Sequence, residues 1–258
     1  MTTNYNSIRC RLSARYTRAR LWAARMCMPR LNNPGDGQLS MIFPVADTLP
    51  REAADLAKLV EISLAAASAA GKIDLNDVSD RMSFGTKWPN IWPGEHYKLL
   101  AGLIAHIRPS RVVEVGTFLG LSALAIRKNL PPAGRLVTFD VFPWDSFSAT
   151  CLRQSDFSDG RIEQRLGDLA DPKFFRDHVE LLAKAQVIFL DGPKNLIFER
   201  AFLENLKTVP FIETPLLVID DIRLWNMLDI WREIQLPKLD ITSLGHFTGT
   251  GLVMLNSR

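Results

Sequence analysis

The sequence predicts an α/β protein: a doubly wound, mostly parallel, seven-stranded sheet with an N-terminal helical cap. Three observations carry that expectation. From about residue 95 onward, short runs of β-branched and other apolar residues alternate with helical stretches. The runs are apolar at nearly every position, as strands covered on both faces are. The 258 residues are 47% hydrophobic and 23% charged, ordinary composition for one large domain or a domain with an appendage.

The first 40 residues stand apart. They hold seven arginines (Arg9, Arg11, Arg15, Arg18, Arg20, Arg25, Arg30) and one acid, Asp36, which is +6 in a chain whose net charge is +3. The remainder is therefore mildly acidic, at −3, and a body of that sign is not built to grip nucleic acid phosphates. Residues 1–40 are expected to be a basic, flexible extension ending in the loop-forming Asn32-Asn33-Pro34-Gly35-Asp36-Gly37. A transit peptide fits the same composition, as does a basic arm for RNA or an acidic partner, and Met26, Met28 and Met41 are alternative starts. The expected compartment is the cytoplasm, with organellar import through the Arg-rich segment as the alternative. No apolar run is long enough to span a bilayer. Cys10, Cys27 and Cys151 form no CxxC pair, and no HxxxH or HExxH is present, so disulfide scaffolding and zinc-protease chemistry have no support.

Residues 41–94 read as the helical cap and a lid segment. A helix is expected from Pro50 through Ala70, opened by Pro50 and closed by Gly71. Residues 82–94 are irregular and carry Trp88-Pro89-Asn90-Ile91-Trp92-Pro93-Gly94. Residues 95–258 form the core. A helix from Glu95 to Ile107 stops before Pro109. Strands are expected at Arg111–Val115, Leu136–Phe139, Arg161–Leu166, Val187–Leu190, Leu216–Ile219, Leu239–Leu244 and Gly251–Leu255. Helices are expected at 120–130, 145–154, 172–184, 196–207 and 224–234.

Ligands in such sheets bind at the carboxyl ends of the strands. The first strand runs into Glu114-Val115-Gly116-Thr117-Phe118-Leu119-Gly120-Leu121-Ser122, whose glycines allow a tight turn and close backbone approach. The turn leads into a helix N-terminus, which favours a negative group. The spacing is neither the GxGxxG of dinucleotide sites nor the GxxxxGK[ST] of nucleoside triphosphate sites. The E-x-G-x-x-x-G-x-S pattern resembles the first motif of class I S-adenosylmethionine-dependent methyltransferases. That resemblance implies cofactor contacts from Glu114, Gly116, Thr117, Phe118, Gly120 and Ser122. It also implies a Rossmann-like methyltransferase fold. The second strand ends in Asp140, followed by Val141, where a carboxylate can accept both ribose hydroxyls. The third ends in Gly167-Asp168, where the family places residues around the adenine.

The fourth strand ends in Asp191-Gly192-Pro193-Lys194 and the fifth in Asp220-Asp221. Three uncompensated carboxylates at adjacent strand tips repel, and a hard divalent cation such as Mg²⁺ relieves this. These tips resemble the metal-dependent small-molecule O-methyltransferases. Asp191 and Lys194 match the catechol type, and the Asp220-Asp221 pair is closer to the macrolide-sugar type. The resemblance implies Asp191, Asp220 and Asp221 as metal ligands, Asp191 also facing the cofactor, and Lys194 as the base. The alternatives are helix capping by Asp221 and an ion pair of Lys194 with Glu199. His246 is a candidate second base or substrate contact, His96 is a candidate to face the cofactor, and Trp88 and Trp92 are candidate lid residues over an apolar acceptor. The expected partners are a small-molecule hydroxyl acceptor (phenolic, sugar or other natural product) and a second copy in a homodimer. The competing functions are a metal-independent methyltransferase on nitrogen or carboxyl groups and a non-catalytic binder of S-adenosylmethionine.

Overall fold

A computed structural model describes residues 42–43, 50–83, 85–224 and 226–255. The extension at residues 1–40 lies outside the described residues. Among the described residues eight strands form one sheet: β1 (Ile42–Phe43), β2 (Arg111–Val115), β3 (Arg135–Asp140), β4 (Ile162–Leu166), β5 (Val187–Leu190), β6 (Leu216–Asp220), β7 (Lys238–Asp240) and β8 (Thr250–Met254). Their order is β1-β7-β8-β6-β5-β2-β3-β4. The five strands β2 to β6 are mutually parallel, and β8 runs antiparallel between β6 and β7. The seven expected strands are all present. The two-residue β1, which pairs antiparallel with β7, is an addition that so short a run does not announce.

The alternation of side chains along each strand divides the core in two. Val112, Val187, Phe189, Leu216 and Val218 face one layer, with Leu59, Leu99, Ile104 and Ile126 from helices α1 (Pro50–Ala70), α3 (His96–Ile107) and α4 (Leu121–Asn129). Val113, Ile188, Leu217 and Ile219 face the other, with Phe175, Leu182, Phe202 and Trp231. Those four come from α5 (Pro172–Arg176), α6 (Val179–Leu182), α7 (Ile197–Leu206) and α8 (Met227–Glu233). Each such aliphatic or aromatic side chain contributes roughly 1.5–3 kcal/mol by leaving water. A short helix α2 (Asn76–Ser79) follows α1. Helices α1 and α3 meet at Gly102, where a Cβ would stand 2.3 Å from the Ala66 carbonyl oxygen, so only glycine permits the crossing. The cap helix thus shares its core with the sheet.

The helix expected at 145–154 does not form. Pro143 precedes it, and the Trp144 N–H is taken by the Gln164 side chain at 2.9 Å, so the segment folds as two short 3₁₀ turns, Trp144–Ser146 and Gln154–Phe157. The expected helix at 172–184 breaks in two at Asp177-His178, and the last part of the expected strand 239–244 is a 3₁₀ turn, Thr242–Leu244. Among the described residues no helix is long and apolar enough to cross a membrane.

Candidate active site

The strand order fixes where a ligand can sit. The chain builds β3 and β4 on one side of β2 and then crosses to β5 on the other, so the crevice lies beyond the tips of β2 and β5. Gly116 is there with φ of 102°, in the left-handed region, and a Cβ on it would stand 2.1 Å from the Asp191 carbonyl oxygen. The turn after β2 and the tip of β5 are therefore in backbone contact. Gly120, at φ of 77°, starts α4, and a Cβ there would overlap the Leu152 side chain.

The tips of β2, β3 and β4 are tied together. The Thr117 and Thr138 hydroxyls meet at 2.7 Å, and the Gln164 amide donates to Thr117 Oγ1 at 3.1 Å and to the Phe142 carbonyl at 3.1 Å. Asp140 accepts the backbone N–H groups of Phe118 and Phe142, both at 3.0 Å, one on each carboxylate oxygen. Phe118, Val141 and Phe142 are exposed around it. The Asp168 side chain accepts the Ala170 N–H at 2.7 Å, and Gly167 donates to the Asp140 carbonyl at 2.9 Å. So Gly116, Thr117, Phe118, Asp140, Val141, Gly167 and Asp168 gather on one rim. Ser122 is buried in the first turn of α4.

Glu114 is 0% exposed, and the Ser122 and Thr138 hydroxyls beside it reach neither carboxylate oxygen in good hydrogen-bond geometry. Burial pushes its carboxyl up to about 8, against the weaker pull of the Ser122 and Thr138 hydroxyls. Between the ordinary carboxylate value and about 8, the folded cofactor-free protein holds a proton that the unfolded chain has released. Stability therefore falls as pH rises through that window. Urea unfolding at about pH 5 and about pH 9 is expected to show a loss of several kcal/mol, at about 1.4 kcal/mol per pKa unit. Glu114→Gln is expected to flatten that dependence. Equal slopes for the two proteins would refute the assignment.

The second half of the site lies at the tips of β5 and β6. Lys194 and Leu196 both take positive φ, 58° and 69°, a strained loop for residues other than glycine. Glu199, 0% exposed, holds that loop by accepting the Lys194 N–H at 2.7 Å and the Leu196 N–H at 2.8 Å. Glu199 thus acts on the backbone of Lys194 and forms no ion pair with its ammonium. The Lys194 Nζ instead contacts Asp191 Oδ1 and lies 3.0 Å from Asp221 Oδ2. The cap position of α8 is Asn226 and not Asp221, and it makes no side-chain cap bond. The carboxylates, expected to be uncompensated, have cationic partners.

Two histidines join them. The loop before β8 lies over the segment after β6, with Ile222 N–H on the Gly249 carbonyl at 3.2 Å and Arg223 N–H on that of Thr248 at 2.8 Å. This sets His246 Nε2 at 2.7 Å from Asp220 Oδ1, while Thr248 Oγ1 lies 2.7 Å from His246 Nδ1. Gly94 donates to the Gly245 carbonyl at 3.2 Å and brings in the start of α3, where His96 Nδ1 lies 3.6 Å from the same Asp220 oxygen. Burial alone would raise the Asp220 carboxyl, but His96, His246 and Lys194 outweigh it and hold it well below the usual range. Burial opposes charge on His246, yet its bond to Asp220 raises it. Burial likewise opposes charge on Lys194, but Asp191, Asp220 and Asp221 push its ammonium above the ordinary lysine value, away from the base form. Burial raises Asp191 despite Lys194.

Potential ligand atoms converge, within 4.8 Å of one another, in three sets: His96, Asp191 and Asp220; Asp220, Asp221 and His246; and Glu95, His96 and His246. Asp220 is shared by the first two. The three aspartates do not form a set by themselves, because a histidine completes each group. Trp88 is partly exposed on a 3₁₀ turn, Trp88–Asn90, whereas Trp92 packs against the α1–α3 side of the core and Trp144 stacks on Phe157 at 5.3 Å. Phe247, 84% exposed beside His246, is an aromatic the sequence did not single out.

A sequence profile described as O-methyltransferase matches residues 87–227, more than half of the chain and the whole of the rim and acid cluster up to β6. The chain belongs to the O-methyltransferase family. It is a class I S-adenosylmethionine-dependent methyltransferase in fold and an enzyme of methyl transfer. A methyltransferase from Geobacter sulfurreducens superimposes with a TM-score of 0.51 at 17% identity, over 83% of this chain and 100% of that one. The O-methyltransferase TomG from Streptomyces achromogenes, solved with S-adenosylmethionine, gives 0.45 at 20% identity over 76% and 90% of the two chains. Cofactor-bound Rv0187 from MTB gives 0.47 at 19% over 77% and 90%. At these identities the likeness concerns the fold alone. No curated protein sequence matches this O-methyltransferase.

Proposed function

We propose that this O-methyltransferase acts on a hydroxyl of a small molecule, with a divalent cation held at the tips of β5 and β6. The contact of Gly116 with the Asp191 backbone carries the reading, because it sets the glycine turn beside the acid cluster. A methyl donor on the turn and a hydroxyl on the cluster would be neighbours, and proximity of that kind lowers the barrier.

The residues fit both groups. Each Asp140 oxygen accepts one backbone N–H and retains lone-pair capacity for a ribose hydroxyl. The start of α4 suits the cofactor's carboxylate. S-adenosylmethionine supplies an electrophilic methyl on a sulfonium. The acid and histidine donors fit a cation, and both ring nitrogens of buried His96 lack a hydrogen-bond partner. Bound there, a cation lowers the pKa of a coordinated hydroxyl and fixes its position. Lys194 takes up the acceptor's proton only once its carboxylate partners Asp191 and Asp221 are engaged elsewhere, since together they keep it an ammonium. The segment through Trp88, with exposed Phe247, would face the acceptor as an apolar lid.

Calorimetric titration of S-adenosylmethionine with Mg²⁺ and then with chelator is the test, followed by turnover on phenolic and sugar hydroxyls. The expected result is cofactor binding in both conditions and turnover only with the cation. Turnover unchanged in chelator would favour the metal-independent alternative. Absence of binding would overturn the assignment of the rim.

A further inference from the structure

We infer that His96 and His246 are nitrogen donors of the metal centre, so that the site selects a first-row transition ion over Mg²⁺. The inference rests on the cation reading above and gives that cation a chemical class. Two ring nitrogens approach one oxygen, Asp220 Oδ1: His246 Nε2 at 2.7 Å and His96 Nδ1 at 3.6 Å, in two sets of potential ligand atoms that share Asp220. The two imidazole centroids are 4.9 Å apart.

His96 is 6% exposed and has no hydrogen-bond partner on either ring nitrogen. A buried imidazole without partners costs about 1–3 kcal/mol, and a ligand at Nδ1 relieves it. Its ring is fixed for the purpose between Tyr97, with centroids 4.0 Å apart, and Phe189, at 5.8 Å. His246 Nε2 is hydrogen-bonded to Asp220, and the Thr248 hydroxyl can accept the Nδ1 proton, so a cation taking the place of the Nε2 proton finds the ring already oriented. An outer hydrogen bond of this kind is how a protein orients a ligating histidine.

Carboxylate and water suit Mg²⁺, whereas imidazole suits Fe²⁺, Co²⁺, Ni²⁺ and Zn²⁺. His96 with Asp191 and Asp220, and His246 with Asp220 and Asp221, are mixed nitrogen–oxygen sets sharing Asp220, unlike the all-oxygen set that the sequence suggests. The consequence for His246 is that it acts as a ligand and not as a second base.

The test is Co²⁺ binding to the metal-stripped full-length enzyme, read by visible absorption and by competition with Mg²⁺. The expected result is one Co²⁺ per chain with visible bands and an affinity at least ~100-fold above that for Mg²⁺. His96→Phe and, separately, His246→Gln are expected to narrow that preference at least ~10-fold and to change the bands, with Mg²⁺ affinity little altered. Two variants are used because His96 lies in the core, and circular dichroism reports whether each is folded. If both bind Co²⁺ with unchanged bands and preference, the histidines are not ligands and the inference fails while the carboxylate site stands. If the wild type binds neither ion, the cation reading itself fails.

Discussion

Gly116→Ala is expected to cut affinity for S-adenosylmethionine by ~100-fold or more, about 2.7 kcal/mol, with turnover falling in step. Two independent causes add. The residue sits at φ of 102°, where an alanine is strained by roughly 1–3 kcal/mol. Its Cβ would also stand 2.1 Å from the Asp191 carbonyl oxygen, which is backbone and cannot swing aside. The turn after β2 must move, and it carries Thr117 and Phe118, whose bonds to Thr138 and Asp140 fasten the rim. Calorimetry with the cofactor, beside a thermal melt, is the measurement. An affinity within threefold of wild type would show that the turn has no close contact with the ligand.

Asp220→Asn should lower turnover by about 10²–10⁴ and abolish its stimulation by metal, while leaving cofactor affinity within about threefold. Asp220 is 3% exposed with both histidine rings beside one of its oxygens, whereas the rim proposed for the cofactor is built from β2, β3 and β4. Asparagine keeps the shape and removes the charge, so a loss reports electrostatics rather than packing. Metal-binding and cofactor-binding titrations on the same sample separate the two effects. A variant that turns over normally, or one that loses metal and cofactor together, would contradict this division of the site.

The division was half legible in the sequence. Glycine spacing after a strand and an acid at a strand tip are local signals, so Gly116, Gly120, Asp140, Asp191, Asp220 and Asp221 could be found by reading forward from each apolar run. The sequence points His96 toward the cofactor and Glu199 toward the Lys194 ammonium and does not mark Gln164, because their contacts act through space: His96 beside a residue four crossovers later, Glu199 on a backbone bent by two positive φ values, Gln164 across three strands. The absent helix at 145–154 shows the same limit from the other side, since one amide from β4 claims the Trp144 N–H. The repulsion argument for the aspartates also needed through-space knowledge, as Lys194 and His246 stand beside them. The apolar runs themselves were sufficient for the sheet because burial on both faces leaves no polar alternation to confuse them.

β8 comes after every other strand in the chain, yet it lies between β6 and β7 and pairs Thr250 with Asp220. During synthesis the nascent sheet therefore waits with a gap in its middle. A chain ending before residue 250 would leave the facing edges of β6 and β7 unpaired, and unpaired edges are templates for aggregation. The loop that delivers His246 is drawn over Asp220 by the same closing strand. Completion of the sheet and placement of His246 at Asp220 thus depend on the same strand, and truncation before Thr250 is expected to lose both, as solubility and metal-binding assays on the shortened chain would show.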